Sequence, residues 1–176
     1  MDFYESIPDV GAKTAVEIGC HRGESAYIAS GYVKALWCVD PWNPDIGLHE
    51  PGDRCIGDNE YYQFLERMKT QHSLVAIMRM PSLQAAQCVC DGSFDIVYID
   101  GMHDYGNVWQ DIVAWYPKVV VGGYIGGHDY NGHPDHEGLC KAVNTLLGEP
   151  DSVFRDSSWI FKKTETLELR TTNGTL

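Results

Sequence analysis

TAVEIGCHRGES, residues 14–25, decides the fold. Residues 14–19 are apolar and β-branched types around a single glutamate, Glu17, and read as a strand. Gly19 and Gly23 then bracket a turn, and a short helix follows from Glu24. A strand that passes through a glycine turn straight into a helix opens a βαβ unit, and such units build parallel sheets.

Outward from this turn the same alternation repeats. Residues 33–39 (VKALWCV) read as a second strand ending at Asp40, and a Pro/Gly/Asp-rich loop occupies 41–57. Tyr61, Leu65 and Met68 fall on one helical face, residues 74–78 form a third strand, and Ser82 is placed to cap a short helix through Ala85 and Ala86. Residues 94–99 (FDIVYI) are a fourth strand ending at Asp100, and Val108, Ile112 and Trp115 mark a helix face. Residues 124–127 are a short fifth strand running into His128 and Asp129, and Leu139, Val143 and Leu146 mark a last helix. Residues 152–155 and 159–162 read as a closing hairpin around Asp156 and Ser157. The expectation is one α/β domain over residues 1–176, a doubly wound, mostly parallel Rossmann-like sheet with a C-terminal antiparallel hairpin. Residues 1–13 form a short extension before it and residues 164–176 a polar tail.

Bulk properties narrow the function. The 176 residues carry 25 acidic and 13 basic side chains, a net charge of −12, which repels phosphate backbones and anionic membrane surfaces. The reading is therefore no nucleic acid and no membrane as partner. No apolar run approaches the roughly 20 residues that span a bilayer, and the first residues lack a signal-peptide pattern, so a soluble, cytoplasmic protein is expected. The six cysteines, Cys20, Cys38, Cys55, Cys88, Cys90 and Cys140, have no zinc-type spacing; Cys38, Cys88 and Cys140 lie in apolar segments and read as buried reduced thiols.

Four strands end at once in polar or glycine residues: 19–23, Asp40, Asp100, and His128 with Asp129. In doubly wound sheets ligands bind beyond the carboxyl ends of the strands, where the winding reverses, so these groups are expected to converge on one crevice. The Gly19–Gly23 turn suits close backbone approach and offers helix N–H groups to an anion; equally, its spacing is GxxxG and fits a plain strand-to-helix turn. Asp40 lies about twenty residues further on, where a carboxylate accepts both ribose hydroxyls; the competing reading is a loop cap beside Pro41.

VEIGCHRGES (16–25), VDPW (39–42), FDIVYIDGMHDY (94–105) and GGYIGGHDY (122–130) together resemble the signature of class I S-adenosylmethionine-dependent methyltransferases. The likeness is to the O-methyltransferase branch that includes catechol and macrolide-sugar (macrocin-type) enzymes, and it runs from about Thr14 to Leu147. The resemblance implies S-adenosylmethionine as cofactor. Glu17, Gly19, Cys20, His21 and Gly23 would border its methionine part, and Ser25 would bond its carboxylate. Asp40, with Pro41, would hold the ribose; Ser82 would lie near the adenine; Asp100 would face the reaction centre.

His103 lies three residues after Asp100, where the resemblance places a lysine or histidine base; alone it would read as a surface histidine in a Gly-Met-His-Asp turn. His128 and Asp129 stand where metal-dependent relatives carry two acidic or amide residues. Asp100, His128 and Asp129 are thus the candidate metal ligands, with His128 a candidate second base. An imidazole in the set disfavours magnesium relative to manganese, zinc or iron. The following NGHPDHEG loop reads as a solvated lid, a metal cluster being the lesser reading. Few residues precede Thr14, so the crevice is expected to be open or closed by a partner subunit of a homo-oligomer. The expected activity is methyl transfer to a hydroxyl of a small acceptor, a sugar or phenol, with His103, Asp100 and His128 as catalytic groups. Two alternatives remain. A nicotinamide-dependent oxidoreductase lacks support from a middle glycine or a Tyr-xxx-Lys pair, and a non-catalytic S-adenosylmethionine- or nucleotide-binding module needs no base beside Asp100.

Overall fold

The computed structural model describes residues 2–43, 57–71 and 73–165. At its centre is β1 (Thr14–Ile18), whose backbone pairs in parallel with β2 (Ala35–Val39) on one side and β4 (Phe94–Ile99) on the other. The chain winds outward from β1 through β2 to β3 (Leu74–Met78), then returns to β4 and continues through β5 (Val119–Gly127). Winding therefore reverses between β1 and β4. β7 (Trp159–Lys162) runs antiparallel between β5 and β6 (Ser152–Val153), giving seven strands in the order β3-β2-β1-β4-β5-β7-β6. The expected doubly wound sheet with a closing hairpin is the one observed.

Both faces of the sheet are covered, as a parallel sheet requires. Val16, Ile18, Val97 and Ile99 pack against α4 (Ser82–Gln87), α5 (Tyr105–Trp115) and α6 (Glu137–Leu146). Ala15, Leu36, Ile96 and Tyr98 pack against α1 (Asp2–Glu5), α2 (Glu24–Ser30) and α3 (Asp58–Met68). Val108, Ile112 and Trp115 on α5, and Leu139, Val143 and Leu146 on α6, are buried as their spacing predicts. On α3 the buried apolar face centres on Phe64 and Met68, with Tyr61 and Leu65 at its margin. β3 is an edge strand, and its Leu74 and Ile77 stay exposed.

Several readings are corrected. β5 starts at Val119, earlier than the expected 124: Val119 pairs with Phe94, and the register then shifts so that Ile96 faces Tyr124. β2 begins at Ala35 and β6 stops at Val153. Ser82 does not cap α4: Pro81 holds the cap position, and the Ser82 hydroxyl is drawn inward, donating to Asp111 Oδ1 and accepting from Trp115 Nε1 at 2.8 Å. Cys88 is exposed rather than buried, since it closes α4 on its solvent side; Cys20 and Cys38 are buried free thiols and Cys140 is partly buried. Cys55 and most of the 41–57 loop lie outside the described residues, as do residues 166–176 of the tail. The short extension before β1 includes α1, whose Phe3 and Tyr4 are fully buried on the sheet, Phe3 beside Gly126 and Tyr98. Among the described residues no helix is long and apolar enough to cross a membrane.

Candidate active site

Sheet register brings the strand ends together. Ile18 is paired with Val39 and with Ile99, and Ile99 with Gly127. The residues that follow these, Gly19, Asp40, Asp100 and His128, therefore emerge side by side along one edge, across the reversal between β1 and β4.

The turn after β1 is shaped by protein contacts. Gly19 has φ +90°, and a Cβ there would stand 2.2 Å from the Asp100 carbonyl oxygen; a Cβ on Gly23 would press on the Phe64 ring at 2.8 Å. His21, at φ 46°, adopts the same left-handed backbone without being glycine. What holds it there is Asp40. One carboxylate oxygen of Asp40 accepts from the His21 N–H at 2.9 Å, and the other from the Trp42 N–H at 2.7 Å. Trp42, fully buried against Tyr61 and Phe64, returns its Nε1–H to the His21 carbonyl at 2.6 Å. Asp40 thus ties the β1 turn to Pro41 and the start of the next loop. Burial raises its pKa, and the N–H groups of His21 and Trp42 oppose the rise.

Beneath the turn lies Glu17, 0% exposed. The Ser25 hydroxyl donates to its Oε1 at 2.5 Å, while Oε2 has no hydrogen-bond partner among the described residues. Burial, with Asp100 and Asp40 nearby, pushes the Glu17 carboxyl up to about 8 despite the Ser25 bond. Cys20 is buried with its thiol directed at the Glu17 and Val39 carbonyls, 3.4 and 3.8 Å away. Ser82 is held by Asp111 and Trp115, and burial pushes Asp111 up to about 6.

At the other end of the crevice Asp129 is a hub. His103 Nε2 lies 3.0 Å from its Oδ2, His128 Nδ1 lies 3.1 Å from its Oδ1, and His136 Nδ1 lies 3.6 Å from that same oxygen. His103 is held just ahead of α5, whose first turn is capped by Asp104 accepting from the Gly106 and Asn107 N–H groups. Burial lowers the His103 pKa, keeping the ring neutral, although Asp129 pulls the other way. Asp100, partly buried, is pushed up to about 6 by burial, with His128 opposing and Asp129 reinforcing the rise. Among the described residues, two groups of potential ligand atoms lie within 4.8 Å of one another, Asp100–His128–Asp129 and His103–Asp129–His136. The first is the set expected from sequence. Its imidazole donor makes it a poor magnesium shell and a better one for manganese, zinc or iron. His136 belongs to the NGHPDHEG loop, whose lesser reading was a metal cluster, and its ring is set beside Asp129. It sits in the expected solvated lid, and its signal was the HPDH spacing alone.

The winding, the glycine turn and the strand-end acids are the arrangement implied by the resemblance to class I S-adenosylmethionine-dependent methyltransferases. A family model described as a methyltransferase domain matches residues 16–130, and the chain belongs to that family. The protein y4gI of Sinorhizobium fredii (strain NBRC 101917 / NGR234), described as uncharacterized, is 25% identical over 122 residues, 65% of this chain; the chain spans only 13% of that relative's length. Among solved structures, the O-methyltransferase NovP matches with a TM-score of 0.67 at 19% identity, over 93% of this chain and 78% of NovP. The N-methyltransferase NodS from Bradyrhizobium japonicum WM9 matches at 0.57 and 15% identity, over 88% of each chain. An rRNA methylase from Streptococcus thermophilus matches at 0.61 and 11% identity, over 93% of each chain. At such identities these likenesses establish the fold; the acceptors named for them are of three kinds.

Proposed function

We propose that the protein transfers a methyl group from S-adenosylmethionine to a hydroxyl oxygen of a small acceptor such as a sugar or phenol. The observation that carries this reading is the His103–Asp129 pair, 3.0 Å apart, at the ends of β4 and β5 beside the β1 turn. Bound at that turn, S-adenosylmethionine supplies an electrophilic sulfonium methyl. Glu17 suits the cofactor's amino group: its Oε2 is a buried carboxyl oxygen without a hydrogen-bond partner among the described residues, and an ammonium is the kind of partner it lacks. Asp40 has lone pairs left for the ribose hydroxyls after accepting its two N–H groups.

His103 Nε2 is buried, makes no hydrogen bond among the described residues and lies 3.0 Å from Asp129 Oδ2, so the ring, which burial keeps neutral, is placed to take the acceptor's hydroxyl proton beside that carboxylate. The imidazolium so formed sits against the Asp129 carboxylate, which stabilises it. Asp100, one strand over, orients the acceptor, since positioning alone supplies much of the rate in a two-substrate transfer. Asp100, His128 and Asp129 could hold a divalent cation that polarises the hydroxyl, but the proton transfer described here does not pass through one. The net charge of −12 favours a small acceptor over a polyphosphate chain.

The test has two parts. Calorimetry should detect binding of S-adenosylhomocysteine and none of NAD. With a hydroxylated acceptor, His103→Ala should lower turnover by roughly 10²–10⁴-fold while cofactor affinity holds. Absence of cofactor binding sinks the reading as a whole; methyl found on nitrogen or RNA sinks the choice of acceptor.

A further inference from the structure

The crevice end carries more imidazole than a proton relay needs. α6 approaches the start of α5 so closely that a Cβ on Gly138 would stand 2.6 Å from the Tyr105 nitrogen and 3.0 Å from the His103 carbonyl. That contact brings the short 3-10 turn Pro134–His136 over the site. The His103 and His136 rings meet edge to face, centroids 5.0 Å apart, with Asp129 between their nitrogens and the strand ends.

We propose that His103 Nε2, Asp129 and His136 Nδ1 form a binding site for a divalent transition-metal ion of the zinc, cobalt or iron(II) type. Two imidazoles and a carboxylate are the donors these ions prefer, whereas magnesium requires an oxygen shell. An ion bound about 2.0–2.2 Å from each donor holds those donors roughly 3–3.5 Å apart. His103 Nε2 lies 3.0 Å from Asp129 Oδ2 and His136 Nδ1 3.6 Å from Asp129 Oδ1, and one ligand atom from each of the three residues falls within 4.8 Å of the others, so small side-chain adjustments close the set on an ion. His103 Nε2 is buried and makes no hydrogen bond among the described residues; its close neighbour is the Asp129 carboxylate, itself a donor of the same set. His136 Nδ1 lies 3.1 Å from Asn131 Oδ1, a single contact that the ion replaces. The neighbouring Asp100–His128–Asp129 set has one imidazole, fewer than the two that favour these ions.

Occupancy has a consequence that rests on the proposed function. The ion takes the lone pair of His103 Nε2, the atom assigned to receive the acceptor's proton, so a filled site stops transfer.

The full chain, stripped with chelator, is titrated with Co²⁺ and followed by its visible absorption. Wild type should bind one ion. His136→Ala should weaken binding by about tenfold or more, a loss at least as large as that of an outer partner of a ligand, while Asp100→Asn leaves it unchanged. Thermal unfolding checks that each variant is folded; should His136→Ala fail, His136→Gln takes its place. No cobalt absorption in wild type overturns the site, and so does binding lost in Asp100→Asn but kept in the His136 variant. In a methyl-transfer assay Zn²⁺ should inhibit at concentrations that fill the site. Binding without inhibition overturns His103 as the base and leaves the site standing on the titration.

Discussion

Replacing Glu17 with glutamine should flatten the dependence of stability on pH between about 6 and 8. Glu17 is completely buried, and its carboxyl is pushed from the usual 4.5 to about 8, first by burial and then by Asp100 and Asp40. Between those values the folded protein keeps a proton that the unfolded chain has released. Stability is therefore full below about 4.5 and is lost as pH rises through about 8, at about 1.4 kcal/mol per pH unit for one proton. Asp100 and Asp111, both pushed up to about 6, add falls of the same sign at lower pH. From pH 6 to 8 the Glu17 contribution is on the order of 2–3 kcal/mol. Glutamine keeps an oxygen to accept the Ser25 hydroxyl and has no proton to lose. Urea unfolding at pH 6, 7 and 8, without cofactor, measures both proteins. Groups common to the two, including His103 with its opposite trend, cancel in the difference. Wild type should lose stability relative to the variant by the stated amount. Parallel curves would mean that Glu17 is ionised in the fold, and the account of a protonated carboxyl beneath the β1 turn would fall.

Gly19→Ala should cost on the order of 2–4 kcal/mol in chemical denaturation, because its Cβ meets the Asp100 carbonyl at 2.2 Å and its φ of +90° is strained for alanine; a variant within 1 kcal/mol of wild type would show that the turn relaxes freely. Ser82→Ala leaves Asp111 and Trp115 Nε1 without their shared hydroxyl and should lower stability by about 1–3 kcal/mol, read as a fall in Tm. Asp40→Ala should both loosen the turn, by freeing the His21 and Trp42 N–H groups, and weaken S-adenosylhomocysteine binding in calorimetry by about 1–3 kcal/mol; unchanged affinity would leave Asp40 as a loop clasp alone.

Asp40 also shows how far the residue order reaches. Its place at the end of β2 was legible, because apolar runs of strand length ending in a single acid are a local pattern. So were β3 and β4, and the buried faces of α5 and α6, which follow from a period that packing against a flat sheet enforces. Two competing readings of Asp40, ribose ligand and loop cap, could not be separated from sequence. The cap is realised in the fold, since both carboxylate oxygens accept backbone N–H groups, and the ribose role remains a proposal.

Ser82 marks the opposite case. A serine ahead of a helical run signals a cap, but its partners Asp111 and Trp115 lie 29 and 33 residues away, and only the packing of α4 on α5 presents them. The burial of Phe3 and Tyr4, the exposure of β3 and the gathering of His103, Asp129 and His136 are decided in the same way. The sequence by itself determined the winding, because each strand and helix announces itself through neighbours a few residues apart, and it placed the polar strand ends on one edge. Tertiary structure alone decided which of those polar atoms find hydrogen-bond partners and which, like Glu17 Oε2, are left without one among the described residues. Hydrogen bonding and burial depend on distances across elements, and no local pattern encodes those distances.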